Sequence, residues 1–171
     1  MKPNDRFSFL KNNRVSQDPT TLVQCYLPII GQDALSLYLY TLAFWDDGQK
    51  ERLFAAILNH LNFGMDRLLK AFKILAAFNL VTLYQNGDGY KLVIHPTLSQ
   101  SDFLRHTVYR TLLEKRIGDT AVSDLRQEAA DGEALTVHLS HAFPEIEELA
   151  SHDETPVKAD FKNDFDLEHF R

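Results

Sequence analysis

The chain has 171 residues, 44% of them hydrophobic and 25% charged, which suits one full hydrophobic core of an ordinary globular protein and leaves little room for a second complete domain. No apolar run approaches the roughly 20 residues that span a bilayer, and no hydrophobic segment follows Met1-Lys2-Pro3-Asn4-Asp5 to make a signal peptide, so a cytoplasmic protein is expected. The net charge of -6 is uneven: residues 1–98 hold 10 Lys+Arg against 8 Asp+Glu, whereas residues 99–171 hold 8 against 16, which directs any nucleic acid to the first half and argues against a strong autonomous DNA-binding domain.

Residues 1–21 read as an amino-terminal extension carrying one strand-like run, Arg6-Phe7-Ser8-Phe9-Leu10. A lone strand is unstable, so this one pairs with another part of the fold, pairs with a second chain, or frays. The segment Leu22 to Gly31 is an apolar approach, with Pro28 and Gly31 punctuating it ahead of a helix from Ala34 to Trp45. Asp33 falls in that helix's first turn, where the helix dipole favours a carboxylate. The helix is apolar almost all round, so it is the centre of the core or has a face that meets a partner subunit, and with so few helices to surround it a combination of the two is expected. The single Cys25 reads as a buried structural thiol.

Leu53, Phe54, Ile57, Leu58 and Leu61 recur at helical spacing and predict a second helix, which Asn62-Phe63-Gly64 interrupts. A third follows through Leu68, Leu69, Phe72, Leu75 and Ala76, with Arg67, Lys70 and Lys73 on its outer side and Asn79 at its end. Leu80–Tyr84 and Tyr90–Ile94 are strand-like runs joined by Asn86-Gly87-Asp88-Gly89, a hairpin signal. Helix, turn, helix and hairpin in this order predict a fold that is mainly α with a small β-hairpin, a winged helix-turn-helix with an additional amino-terminal strand and carboxy-terminal helices.

After the hairpin, Ser99 with Asp102 resembles a capping box for one helix running to Ile117 and stopping at Gly118, a helix expected to pack beside the first. Val122 and Leu125 are the next apolar anchors. Ala134–Leu139 reads as a short extended piece, and Phe143 and Ile146 as side chains that dock on the core, which places the winged-helix oligomerisation domain at residues 22–144. From Glu145 onward nine acids face three bases, linker composition over residues 145–171 that suggests an amino-terminal fragment leading to a second domain.

Seven glycines lie in no phosphate-cradling pattern, His138 and His141 lack further ligands at zinc-site spacing, and no serine sits in a nucleophile elbow. The reading is therefore of no enzyme, no catalytic residue, no metal and no cofactor. Arg67, Lys70, Lys73 and Lys91 form a candidate DNA-binding set on the third helix and the wing, a sparse one beside Asp66 and Asp88, for which a solvated helix face is the simpler reading. Phe7, Phe9, Leu10, Tyr38 and Trp45 form a candidate oligomer interface, because a few short helices and a hairpin leave apolar surface uncovered.

Tyr26-Leu27-Pro28-Ile29-Ile30-Gly31, followed by Ala34-Leu35-Ser36-Leu37-Tyr38, resembles the L-Y-x-P-L-I-G-x-x-A-x-x-L-Y opening of the DnaD/DnaB-type primosomal proteins of low-GC Gram-positive bacteria. The likeness extends through Ala71-Phe72-Lys73-Ile74-Leu75, Asn79-Leu80-Val81, Phe103-Leu104 and Ile117-Gly118, over about residues 22 to 125, and is nearer to the DnaB-type helicase-loading accessory protein than to DnaD. Asn79 stands where the family usually has glycine, and Ala129 to Leu149 match only loosely. The resemblance implies a non-enzymatic replication initiation factor that helps load the replicative helicase. Its implied partners are further copies of itself, as a dimer or higher oligomer, and other primosomal proteins such as a DnaD-type protein, the helicase or the helicase loader. DNA would be bound weakly by this fragment and mainly by a carboxy-terminal domain, and the sequence gives peripheral membrane association no support. A winged-helix transcription regulator reading DNA through Arg67, Lys70 and Lys73 is the competing hypothesis.

Overall fold

Arg6–Phe9 forms strand β1, an inner strand of a four-stranded sheet. In this computed structural model, which describes residues 1–125, 135 and 137–145, the chain divides into two compact units, Met1–Gln127 and Glu128–Arg171. In the first unit β1 is followed by α1 (Pro19–Thr21), a π-helical turn (Leu22–Tyr26), α2 (Leu27–Phe44), β2 (Arg52–Leu53), α3 (Phe54–Leu61) and α4 (Met65–Ala77). Strands β3 (Val81–Asn86) and β4 (Gly89–Ile94) make the wing, and α5 (Gln100–Arg105), α6 (Thr107–Ile117) and α7 (Asp119–Leu125) complete the unit.

The winged helix-turn-helix predicted from sequence is present. Asn62 and Asn79 take the left-handed conformation, with φ of 57° and 54°, and end α3 and α4. The wing turns through Gly87 and Asp88 alone, with φ of 60° at Gly87, a conformation that a side chain would strain. Ser99 caps α5, its hydroxyl accepting from the Asp102 amide at 3.2 Å. As expected, α6 packs on α2.

Sheet order is β2-β1-β4-β3, with β1 parallel to β4 in the register Phe7 to Tyr90 and Phe9 to Leu92. Of the three outcomes open to the strand of the amino-terminal extension, it takes the first and pairs within its own chain. The chain also satisfies its own backbone around β1: the Leu10 amide donates to the Leu92 carbonyl at 2.9 Å, and the Asn13 side chain both donates to the Ile94 carbonyl and accepts its amide at 2.9 and 2.7 Å. The carbonyls of Pro3 and Asp5 accept the first amides of α3, those of Ala55 and Phe54, at 2.8 and 3.2 Å, which serves two donors no helix can satisfy internally.

Several expectations need correction. The apolar approach of Leu22 to Ile30 is helical, because Leu22, Cys25, Tyr26 and Ile30 turn one face inward while Val23 stays exposed, and Gly31 (φ 85°) breaks the helix where no side chain is needed. The single helix predicted over Ser99–Ile117 is two, since His106 takes an extended conformation (ψ 111°) and becomes the cap of α6, its Nδ1 accepting the Tyr109 amide at 3.3 Å. In the second unit, Leu139–Ala142 forms α8, with Leu135, Val137 and Phe143 exposed. Ala134, Thr136, Ile146 and the acidic stretch beyond Glu145 lie outside the described residues.

Two aromatic clusters hold the first unit together. Phe54 stacks on Phe7 with ring centroids 5.0 Å apart and meets Tyr90 edge-on at 5.4 Å; Tyr26 meets Phe103 at 4.8 Å, and Tyr109 lies against Phe78 and Phe103. The buried hydroxyls are bonded: Tyr38 donates to the His95 carbonyl at 2.6 Å, and Tyr26 accepts the Leu98 amide at 3.0 Å.

Candidate nucleic-acid and protein interfaces

Positions 67, 70 and 73 recur at three-residue steps along α4 and all three side chains are exposed, so the basic face predicted for this helix exists. Its electrostatics differ from the sequence picture. Arg67 reaches across to α2 and grips Asp33 with both arms, Nε to Oδ2 at 2.8 Å and Nη2 to Oδ1 at 2.7 Å, while its guanidinium lies 5.0 Å from the Phe63 ring centre. The guanidinium's hydrogen bonds hold the Asp33 carboxyl below its ordinary range. On the wing, Lys91 is half-buried and donates through Nζ to the Ser8 hydroxyl at 3.1 Å. Lys70 and Lys73 are exposed, beside Asp66 in the first turn.

Beneath Asp33 and Arg67 runs an open groove of about 530 Å³ between the start of α2, the face of α4 and the end of α6. Ile29 and Ile74 line it together with Lys70, Arg67 and Arg116, with Asp33 the lone acid. Sequence reasoning missed both Asp33 as a partner of Arg67 and Arg116 as a member of this surface. The signals were too remote: 34 residues separate the ion pair, and Arg116 reads locally as a basic side chain favoured in the last turn of a helix.

The candidate oligomer residues separate into two groups. Phe7, Phe9 and Tyr38 are at most 1% exposed and belong to the core of their own chain, so their assignment to an interface is corrected. The alternation of β1 explains it: Phe7 and Phe9 point to the same face, and that face meets Phe54 and Arg52 of the same chain. Leu10 is 38% exposed, and Trp45 is half-buried with its indole N–H donated to the Leu10 carbonyl at 3.3 Å. A further apolar surface lies on α2 itself, where Leu39 is 45% exposed, Ser36 and Ala43 are exposed, and Leu35 and Leu42 are half-buried at helical spacing. No charged side chain interrupts Leu35 to Phe44.

Among the described residues, no group of three or more His, Cys, Asp or Glu could hold a metal ion, and no helix is long and apolar enough to cross a membrane. Cys25 is buried, and burial pushes its thiol up to about 11.

Helices α2, α3 and α4 closed by the β3–β4 hairpin define a winged-helix domain, here with an inner amino-terminal strand and a helical carboxy-terminal addition. The family model for the DnaB N-terminal winged helix domain matches residues 1–171, and the chain belongs to that family. The fold is similar to the crystal structure of primosome protein DnaB (residues 1–300) from Geobacillus stearothermophilus, with a TM-score of 0.69 at 18% identity over 82% of this chain. The chain spans 58% of that structure's length. No curated protein matches it.

Proposed function

We propose that the chain is a non-enzymatic DNA replication initiation factor of the primosome, acting in the cytoplasm to assist loading of the replicative helicase, with this domain as an oligomerisation and protein-interaction scaffold. The observation that carries the assembly part is the outward stripe of α2. Leu35, Leu39, Leu42 and Ala43 share one side of a helix whose other sides are fully buried at Ala34, Leu37 and Tyr38. Uncharged apolar surface on a winged-helix domain suits contact with another chain.

Membership of the DnaB N-terminal winged helix domain family and similarity of fold to a protein titled a primosome protein support the pathway. The basic face supports a minor DNA role at most: Arg67 is engaged by Asp33, and Lys91 by Ser8, which leaves few cations to neutralise phosphates. The partners proposed are a second copy of the chain, a DnaD-type protein, and the helicase or its loader.

Light scattering over a range of concentrations, with and without duplex DNA, tests the reading. A dimer or larger assembly is expected, and Leu39→Asp should convert it to monomer. A concentration-independent monomer in the unmodified chain defeats the scaffold, and salt-sensitive, sequence-specific duplex binding would replace it with the regulator hypothesis.

A further inference from the structure

We propose that the groove between the start of α2, α4 and the end of α6 is a docking site for a short acidic peptide that carries apolar side chains. Three features define its ligand. The floor and walls include Ile29 and Ile74, both half-buried, so the groove offers apolar contact that a phosphate chain would not use. With Arg67 and Asp33 offsetting each other, the rim keeps a net positive charge from Lys70 and Arg116, on a protein whose overall charge is -6. The helical segment of α2 restarts after Gly31, which has φ of 85°, and its first residues, Gln32 and Asp33, line the groove, which sets the positive end of its dipole there.

Asp33 shows in miniature what the groove accepts. Its carboxylate takes both arms of Arg67 at 2.7 and 2.8 Å, the bidentate geometry that an aspartate or glutamate of a bound peptide would repeat with Arg116. Lys70 lines the same rim as an exposed point charge. Alternating acids and large apolar residues would place carboxylates on the rim while the apolar side chains rest on Ile29 and Ile74. Duplex DNA fits worse, because its phosphates would leave those isoleucines without a partner. The proposal deepens the interaction-scaffold reading and rests on its protein-binding half, not on self-assembly.

Fluorescence anisotropy on the 171-residue chain tests it, using a labelled synthetic peptide in which Asp alternates with Phe and Leu. Saturable binding is expected, weakened about tenfold or more by the exposed double substitution Lys70→Glu, Arg116→Glu, and by an equally charged peptide in which Ser replaces Phe and Leu. Circular dichroism melting of the double variant should match that of the unmodified chain. Absent binding, equal binding by the double variant, equal binding of the Asp-Ser peptide, or a preference for duplex DNA each overturns the proposal. Light scattering on the same samples reads the assembly state separately. A monomer that binds the peptide retains this inference and loses the oligomer reading, and an oligomer that ignores the peptide does the reverse.

Discussion

A Cβ atom on Gly48 would stand 2.6 Å from the carbonyl oxygen of Phe9. The turn after α2 therefore presses directly on the back of β1, and the φ of 73° at Gly48 is one that side-chain residues rarely adopt. Gly48→Ala is expected to destabilise the first unit by roughly 2–4 kcal/mol, from left-handed strain together with displacement of the strand. Urea unfolding followed by circular dichroism measures it. A change within about 0.5 kcal/mol, the usual range for surface substitutions, would mean that this approach is looser than the geometry requires.

Phe9 and Trp45 separate the core from the surface. Phe9 is fully buried beside Phe7 and beneath the Arg52 guanidinium, so Phe9→Ala should cost about 3–5 kcal/mol of stability through the cavity it leaves. Trp45 is half-buried, with Arg14 over its ring at 5.8 Å, and its replacement by Ala should cost distinctly less. Unfolding at two protein concentrations distinguishes the roles. A Phe9→Ala variant of normal stability but altered oligomeric state would restore Phe9 to an interface.

The helical ends and the wing were legible because their signals are local: Asn62, Asn79 and Gly87 each occupy the backbone conformation their residue type favours, and Ser99 caps as its spacing implies. The place of β1 was not, because a parallel pairing with β4, more than 80 residues away, has no turn to announce it. The break at His106 was hidden for the opposite reason. Histidine is an uncommon cap, and the apolar spacing of Leu104, Val108 and Leu112 runs across it as though one helix continued. At the candidate site, the exposure of Lys70 and Lys73 followed from the periodicity of α4, whereas the engagement of Arg67 depended on how α2 crosses that helix.

The Arg67–Asp33 pair makes an electrostatic prediction independent of any ligand. Hydrogen bonds from the guanidinium, and then its charge and that of Lys70, depress the Asp33 carboxyl. A depressed carboxyl stabilises the fold above its unfolded value, and that contribution is lost as pH falls through the folded value. Carboxyl-detected NMR titration should find Asp33 low in the unmodified chain and higher in Arg67→Gln. An Asp33 titration that the substitution leaves in place would show that the two side chains do not hold each other in solution.

Cys25 makes the complementary prediction on the alkaline side. Burial raises its thiol from 9.0 to about 11, so below pH 9 folded and unfolded chains both keep the proton and the group does not alter the pH slope. From about 9 to about 11 the unfolded chain releases the proton while the folded chain retains it, and stability falls with rising pH by at most about 1.4 kcal/mol per unit for this one group. Burial also raises Tyr26 and Tyr38, which extends the same decline to higher pH. Urea midpoints measured at about pH 8 and about pH 10 should therefore drop in the unmodified chain and drop less in Cys25→Ala, whatever the absolute cost of the substitution. The native thiol should also resist iodoacetamide at neutral pH and react once the chain is unfolded, since only the thiolate attacks. Equal pH slopes in the two proteins, with rapid alkylation of the native one, would place Cys25 in contact with water and reopen the packing of the π-helical turn, whose buried residues are Leu22, Cys25 and Tyr26.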